Sequence, residues 1–216
     1  MLSEFADAVP GLLHGLRYTL MLVGAASGGA LLIGAALGLA RVSPYPSLKV
    51  PAATYVNVVR NIPAVVMFFF SVFILPQLGI RMSFYWLAVI ALSTYFAVFV
   101  SDAILSGFNA VPVGQLEAAR ALGLSDGETM SRVVLPQAVR SVIPPLTVVL
   151  IQLVKVSAIA GAFGVPEIFM ELGNEIHAHP SIVLVLLAAA CLLYLVITIP
   201  MGRLALVLEK RVRLVR

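Results

Sequence analysis

Three ionisable side chains, Arg60, Asp102 and Lys155, stand inside runs of apolar residues. At a bilayer centre each costs at least about 2.5 kcal/mol on insertion scales, so such groups face a cavity or one another and mark a path for a polar solute. Arg60 and Lys155 have the chemistry to attract a carboxylate. Asp102 has two options: to neutralise one of those cations or to receive an amino group. For Lys155 the structural alternative is pairing with Asp102 or snorkelling to the interface.

Other chemistry is missing from the sequence. There is no GxxxxGK[ST] phosphate loop, no HExxH pair, no G-x-S-x-G elbow and no convincing carboxylate pair. ATP hydrolysis and intramembrane hydrolysis are therefore not expected of this chain. His177 and His179 lie among Glu167, Glu171 and Glu175 without metal-ligand spacing, so that stretch is expected to be a solvated loop and no metal is assigned. Phe68, Phe69, Phe70 and Phe73 are expected to fill helix packing or meet lipid. The lone Cys191 sits in an apolar run and provides no disulfide framework.

The longest polar interruption, Val113 to Arg140, contains GQLEAARALGLSDGETMSRVVLPQAVR. Glu117 to Leu122 consists of strong helix formers, and Gly123 is placed to end that helix in the left-handed conformation. Ser125 followed three residues later by Glu128 reads as a capping box that starts a second helix. Pro136 is expected to close the unit before the chain enters an apolar segment at Pro144 and Pro145. A short helix, a glycine corner and a second helix form either a rigid knob that transmits force to a soluble partner or an amphipathic connector in the headgroup layer. Glu117 as a surface carboxylate paired with Arg120 would contribute only about 0.2–0.5 kcal/mol.

The elements that must position these residues are membrane helices. Of the 216 residues 61% are hydrophobic and 11% charged, against about 25% charged in a soluble domain. One bilayer-embedded unit, 1–216, is expected, with no signal peptide. Five segments reach the roughly 20 apolar residues of a span: 15–40, 52–75, 84–107, 144–164 and 181–207. Pro63 and Pro76 predict a kink or a break in the second. Gly24 with Gly28, and Gly34 with Gly38, allow close backbone approach in the first, for packing within the chain or for a dimer face.

Charge sets the orientation. With the C-terminus cytoplasmic, Arg41 and Lys49 share an inner loop, Arg120, Arg132 and Arg140 another, and Arg203, Lys210, Arg211, Arg213 and Arg216 the inner tail. Only Arg17 and Arg81 then fall outside, so the N-terminus is expected external. The net charge of +4 follows this topology and forms no aromatic-interleaved basic face for nucleic acid.

Glu117, Ala118 and Ala119, with Gly123 following and then Leu135 and Pro136, resemble the EAA loop of binding-protein-dependent ABC importer permeases. YVNVVRNIP at Tyr55 to Pro63, VPVGQ at Val111 to Gln115, LPQAV at Leu135 to Val139 and GVPE at Gly164 to Glu167 are similar to the polar amino acid branch, glutamate-type members included. The resemblance implies an all-α, five-span type I importer permease in a bacterial cytoplasmic membrane, with residues 113–140 as cytoplasmic coupling loop. Glu117 and Arg120 would meet the ATPase, and Ala118 and Ala119 would enter its groove. Arg60 and Pro63 match the family's arginine-glycine-threonine-proline motif, with Asn61 a familiar variant, and Asp102 falls where many members carry Glu. Val156, Ser157 and Ala158 depart from the family's Asp-Thr-Ser after Lys155, leaving Ser157 as the residual polar group there. Implied partners are two ATPase subunits carrying ATP and Mg, a second permease, an extracytoplasmic solute-binding protein and an amino acid. A self-contained ion-coupled transporter or channel is the alternative.

Overall fold

A computed structural model describes the backbone of residues 1–212 and the side chains of residues 1–210. The described residues form helices joined by short turns. Helices α1 (Leu2–Val42), α5 (Phe84–Asn109), α8 (Leu135–Val156) and α10 (Val183–Val212) are joined by α2 (Pro46–Arg60), α3 (Ala64–Phe69), α4 (Leu75–Gln77), α6 (Val113–Ala121), α7 (Asp126–Glu128) and α9 (Ile168–Ala178). Four helical stretches are long and apolar enough to cross a membrane, and a bent pair makes a fifth.

α1 and α5 run side by side in the same direction. A Cβ on Gly34 or Gly38 would fall within 3.0 Å of Val100 or Ile104, so glycine permits the close approach of the two helices there. Gly24 and Gly28 have open space instead, so only the second glycine pair packs within the chain. The main core joins Leu22, Ala26 and Ala30 of α1 to Leu92 and Phe96 of α5 and Leu153 of α8. A second core at the opposite end of α1 joins Ala8 and Leu12 to Ile168 and Leu172 of α9 and Leu186 of α10.

The second expected span, 52–75, takes the broken form of the two that its prolines predict. α2 ends at Arg60, and the chain turns through 106° into Ala64–Gln77. Proline disfavours helical backbone in the residue before it, so Pro63 ends α2 and then starts α3 with φ −59° and ψ 139°. α2 packs on α1 and α5, burying Ala52, Val56 and Val59, the last two against Val98.

Two segments widen into π-helix, Phe70–Ile74 and Thr129–Val134. Both run directly into Leu-Pro-Gln, at Leu75–Gln77 and at Leu135–Gln137. A proline ring clashes with the carbonyl four residues earlier and donates no hydrogen bond to it. Widening the preceding turn removes that conflict without breaking the helix. Pro136 therefore does not close the loop unit: it sits in the first turn of α8, which continues through Pro144 and Pro145 to Val156.

The expected solvated loop around Glu167 is also structured. α9 packs on α1, and Glu167 is completely buried at its start. His14 meets Glu171 at 3.0 Å and His179 meets Glu175 at 3.7 Å. The aromatics at 68–73 pack as expected: Phe68 is buried and stacks on Phe163 at 5.5 Å, while Phe69 and Phe73 stay about half exposed.

Candidate functional site: a charge cluster and an exposed helical hairpin

The last turn of α1, the end of α2 and the last third of α5 converge on Asp102. One oxygen, Oδ1, accepts from the Arg41 guanidinium at 2.7 Å and from the Arg60 guanidinium at 2.8 Å. The same Arg41 nitrogen donates to the Ser101 hydroxyl at 3.0 Å. Arg41 is nearly enclosed, with 11% of its side chain exposed, against 42% for Arg60 and 32% for Asp102. The cluster lies toward the end of the bundle that carries the Val113–Val134 loop, since α1 and α5 both finish there.

Arg60 and Asp102 are thus brought together, and Arg41, read from the sequence only as a topology charge, completes the set. An Asp inside an apolar helix demands a partner, and Arg41 closes the neighbouring apolar run three residues after Gly38. That was the available signal. Lys155 does not join them. It is exposed near the opposite end of α8 and forms no ion pair among the described residues. Asn61 donates to the Asn57 carbonyl at 2.7 Å and finishes α2. Ser157 is fully buried, and its hydroxyl is spent on the Val154 carbonyl at 2.8 Å. Between α5 and α8 a groove of about 370 Å³ is lined by Tyr95, Phe96, Phe99, Val149, Gln152 and Val156.

The loop is a compact hairpin. α6 ends in a Schellman turn: Gly123 N–H donates to the Arg120 carbonyl and Leu124 N–H to the Ala119 carbonyl, with Gly123 at φ +78°. Ser125 then accepts from Glu128 N–H at 3.4 Å while the Glu128 carboxylate accepts from Ser125 N–H at 3.1 Å, the reciprocal capping box. Arg120 bridges the corner to Asp126 at 3.2 Å, so it does not pair with Glu117. Glu117 and Ala118 are exposed together with Leu122, whereas Ala119 is sealed inside, 3% exposed. Ala119 therefore cannot enter a partner's groove in this conformation. Beneath the hairpin Val111, Val134 and Ala138 form a small core with Phe108 and Leu116, while Leu135 and Pro136 are exposed above it.

At the opposite end Glu167 caps α9 from inside the protein. Its carboxylate accepts from Met170 N–H at 3.0 Å and from the Tyr194 hydroxyl at 2.8 Å. Thr19 of α1 accepts from Ile168 N–H at 3.1 Å beside it. Burial pushes the Glu167 carboxyl above its usual range, and the hydrogen bonds from backbone and Tyr194 oppose that rise. Sequence reading expects a solvated loop at Glu167 because nothing local shows that a glutamate N-cap is roofed by α1 and α10.

Residues 10–214 match the model of the binding-protein-dependent transport system inner membrane component. The chain belongs to that family. It is 35% identical over 214 residues to the glutamate transport system permease protein GluC of Corynebacterium glutamicum, covering 94% of each chain. It is 32% identical to the probable glutamine ABC transporter permease protein GlnM of Bacillus subtilis, covering 92% of each. Among solved structures, an amino acid ABC transporter crystallised with histidines superposes with a TM-score of 0.90 at 27% identity over 96% of both chains. The MetNI methionine ABC transporter, at 22% identity and TM-score 0.75, shares the fold.

Proposed function

We propose that this chain is the membrane-spanning permease subunit of an ATP-driven ABC importer for a polar amino acid, of glutamate type. The observation that carries this reading is the capped hairpin, which holds Glu117 and Ala118 outward on a rigid corner. A carboxylate displayed beside a small methyl offers a partner both charge and clearance. Two ATPase subunits, each holding ATP and Mg, engage one such hairpin on this chain and one on a second permease subunit. Their closure on ATP pushes the hairpin, and the continuous helix from Asp126 through α8 carries the push to the groove between α5 and α8.

The orientation that suits this role has the N-terminus outside and the hairpin and C-terminus in the bacterial cytoplasm. An extracytoplasmic binding protein delivers the amino acid to the end of the bundle carrying α9. Arg60 and Asp102 serve the solute path with Asn61 next to them, and Lys155 supplies a separate cation toward the outer end. Ser157 supports the helix end there through Val154. The likeness to GluC favours glutamate.

Reversing the hairpin's outward charge tests the coupling. Glu117→Lys is expected to abolish ATP-driven uptake in proteoliposomes of the full complex, with the chain inserted and assembled as in wild type. Unaltered ATP-driven uptake would sink the coupling role, and uptake by this chain alone on an ion gradient would favour a self-contained transporter.

A further inference from the structure

A second groove, of about 370 Å³, lies between α1, α5 and α8 at the end of the bundle that carries the hairpin. Leu31, Ala35 and Leu39 present one face of α1 to it, and α8 lines the far side over residues 135–146. Its floor is buried, with Val100 of α5 1% and Val142 of α8 9% exposed, while its rims are open, Leu39 at 55% and Val139 at 52%. No lining side chain carries a polar atom. A polar solute would lose its hydrogen bonds to water there and regain none, so this groove is no part of the solute path.

We propose that the groove seats one acyl chain of a phospholipid from the leaflet on the hairpin's side, with the lipid phosphate held by Arg140. The three helices belong to stretches long and apolar enough to span the membrane, so hydrocarbon is the medium at their surface. Length fits this occupant: residues 135–146 rise about 16 Å at 1.5 Å per residue, and one leaflet contributes about half of a hydrocarbon core of roughly 30 Å. Width selects it over a helix. A helix is about 10–12 Å across with its side chains, and the leucine rims hold such a cylinder off the floor, whereas a single chain reaches Ala35 and Val100. Lipid tails are as apolar as leucine, so transfer alone favours no site; in the groove, however, the chain touches three helices at once, and each added contact contributes dispersion energy. Arg140 follows Val139 on α8, is exposed and forms no ion pair among the described residues. Its stem can run along apolar surface to the headgroup layer, where the guanidinium fork suits a phosphate. Phe108 lines the groove and also packs in the small core beneath the hairpin. The seated chain is thus part of the packing between α1 and the helix that continues from the hairpin, whatever solute the complex carries.

The test places the full complex in phosphatidylcholine vesicles containing a phosphatidylglycerol with a photoactivatable diazirine in one acyl chain, and locates the label by mass spectrometry. Label on residues 31–39 and 135–146 is expected to saturate as the probe fraction rises, while label on exposed Leu192 and Val196 of α10 rises in proportion to the probe. Ala35→Phe fills the groove and is expected to abolish the saturable label. Val139→Phe does the same from the exposed rim, where a larger side chain leaves the buried floor intact. Arg140→Gln should raise the probe fraction for half-saturation about fivefold, the factor set by one basic residue at an anionic lipid surface. Label in the groove that rises in proportion to the probe, as on α10, would mean ordinary boundary lipid and overturns the proposal. So does a groove left unlabelled in the assembled complex together with cross-linking of Leu39→Cys to the second permease subunit, since a protein then covers it. Saturable label unchanged in both phenylalanine variants also overturns it. Loss of ATP-driven amino acid uptake with the saturable label intact would count against the transport reading alone.

Discussion

Asp102 and Glu167 are carboxylates built into the helix bundle, the first part-buried and the second fully buried, and their neighbours give them opposite characters. Asp102 is held by two cations, whereas Glu167 has backbone N–H groups and a phenol but no cation, so burial dominates and its carboxyl titrates above the usual range. A raised folded-state value means that the fold binds the proton more tightly than the unfolded chain does. Stability from this group is then full below about pH 4.5 and is lost as pH rises through the folded value. Glu167→Gln, which cannot ionise, is expected to narrow that loss. In thermal unfolding of the purified complex the variant should gain on wild type as pH rises above about 4.5. A gap that does not change with pH would show that Glu167 stays ionised across the range. Glu167→Ala removes both hydrogen bonds and is expected to cost about 1–3 kcal/mol at any pH. Neither carboxylate's environment was legible from local sequence: Arg41 stands 61 positions from Asp102, and Tyr194 stands 27 from Glu167.

At the scale of elements, legibility followed whether the cause was local. The Gly123 turn and the Ser125–Glu128 box are short-range stereochemistry, and both stand where the sequence puts them. Phe84–Asn109 and the last helix match their expected spans closely because nothing but length and apolarity defines them. At residues 52–75 Pro63 marked the break, but apolar composition does not reveal direction, so the 106° angle of the turn was not legible. Pro136 misled for a related reason, since a proline ends one helix or opens the next according to whether the turn before it widens. Ser125→Ala should remove one half of the capping box and cost about 0.5–2 kcal/mol locally. Hydrogen exchange of the full complex should then quicken at the amides of Glu128 to Ser131, with those of α5 unaffected. Equal protection in the variant would mean that the hairpin is held by its small core and not by its cap.

For the whole molecule, the short crossing from Ala64 to Gln77 is the feature with the widest reach. At 1.5 Å per residue it rises about 21 Å, while a bilayer's hydrocarbon core is about 30 Å thick. α1, α5, α8 and α10 are long enough for the full thickness and this one is not. If this segment crosses without α2, the lipid beside it thins, water enters on the side where Arg60 and Asp102 lie, or a second subunit covers it, and each ångström of mismatch costs a fraction of a kcal/mol. Membrane thickness thereby becomes a variable of transport. Proteoliposomes of shorter-chain lipids are expected to support faster uptake than those of longer-chain lipids at equal protein and ATP, and equal rates would mean that a second subunit covers the short crossing. If the dependence holds, the lipid composition of the host membrane sets the transport rate, and acyl-chain length acts as a control on the importer from outside the protein.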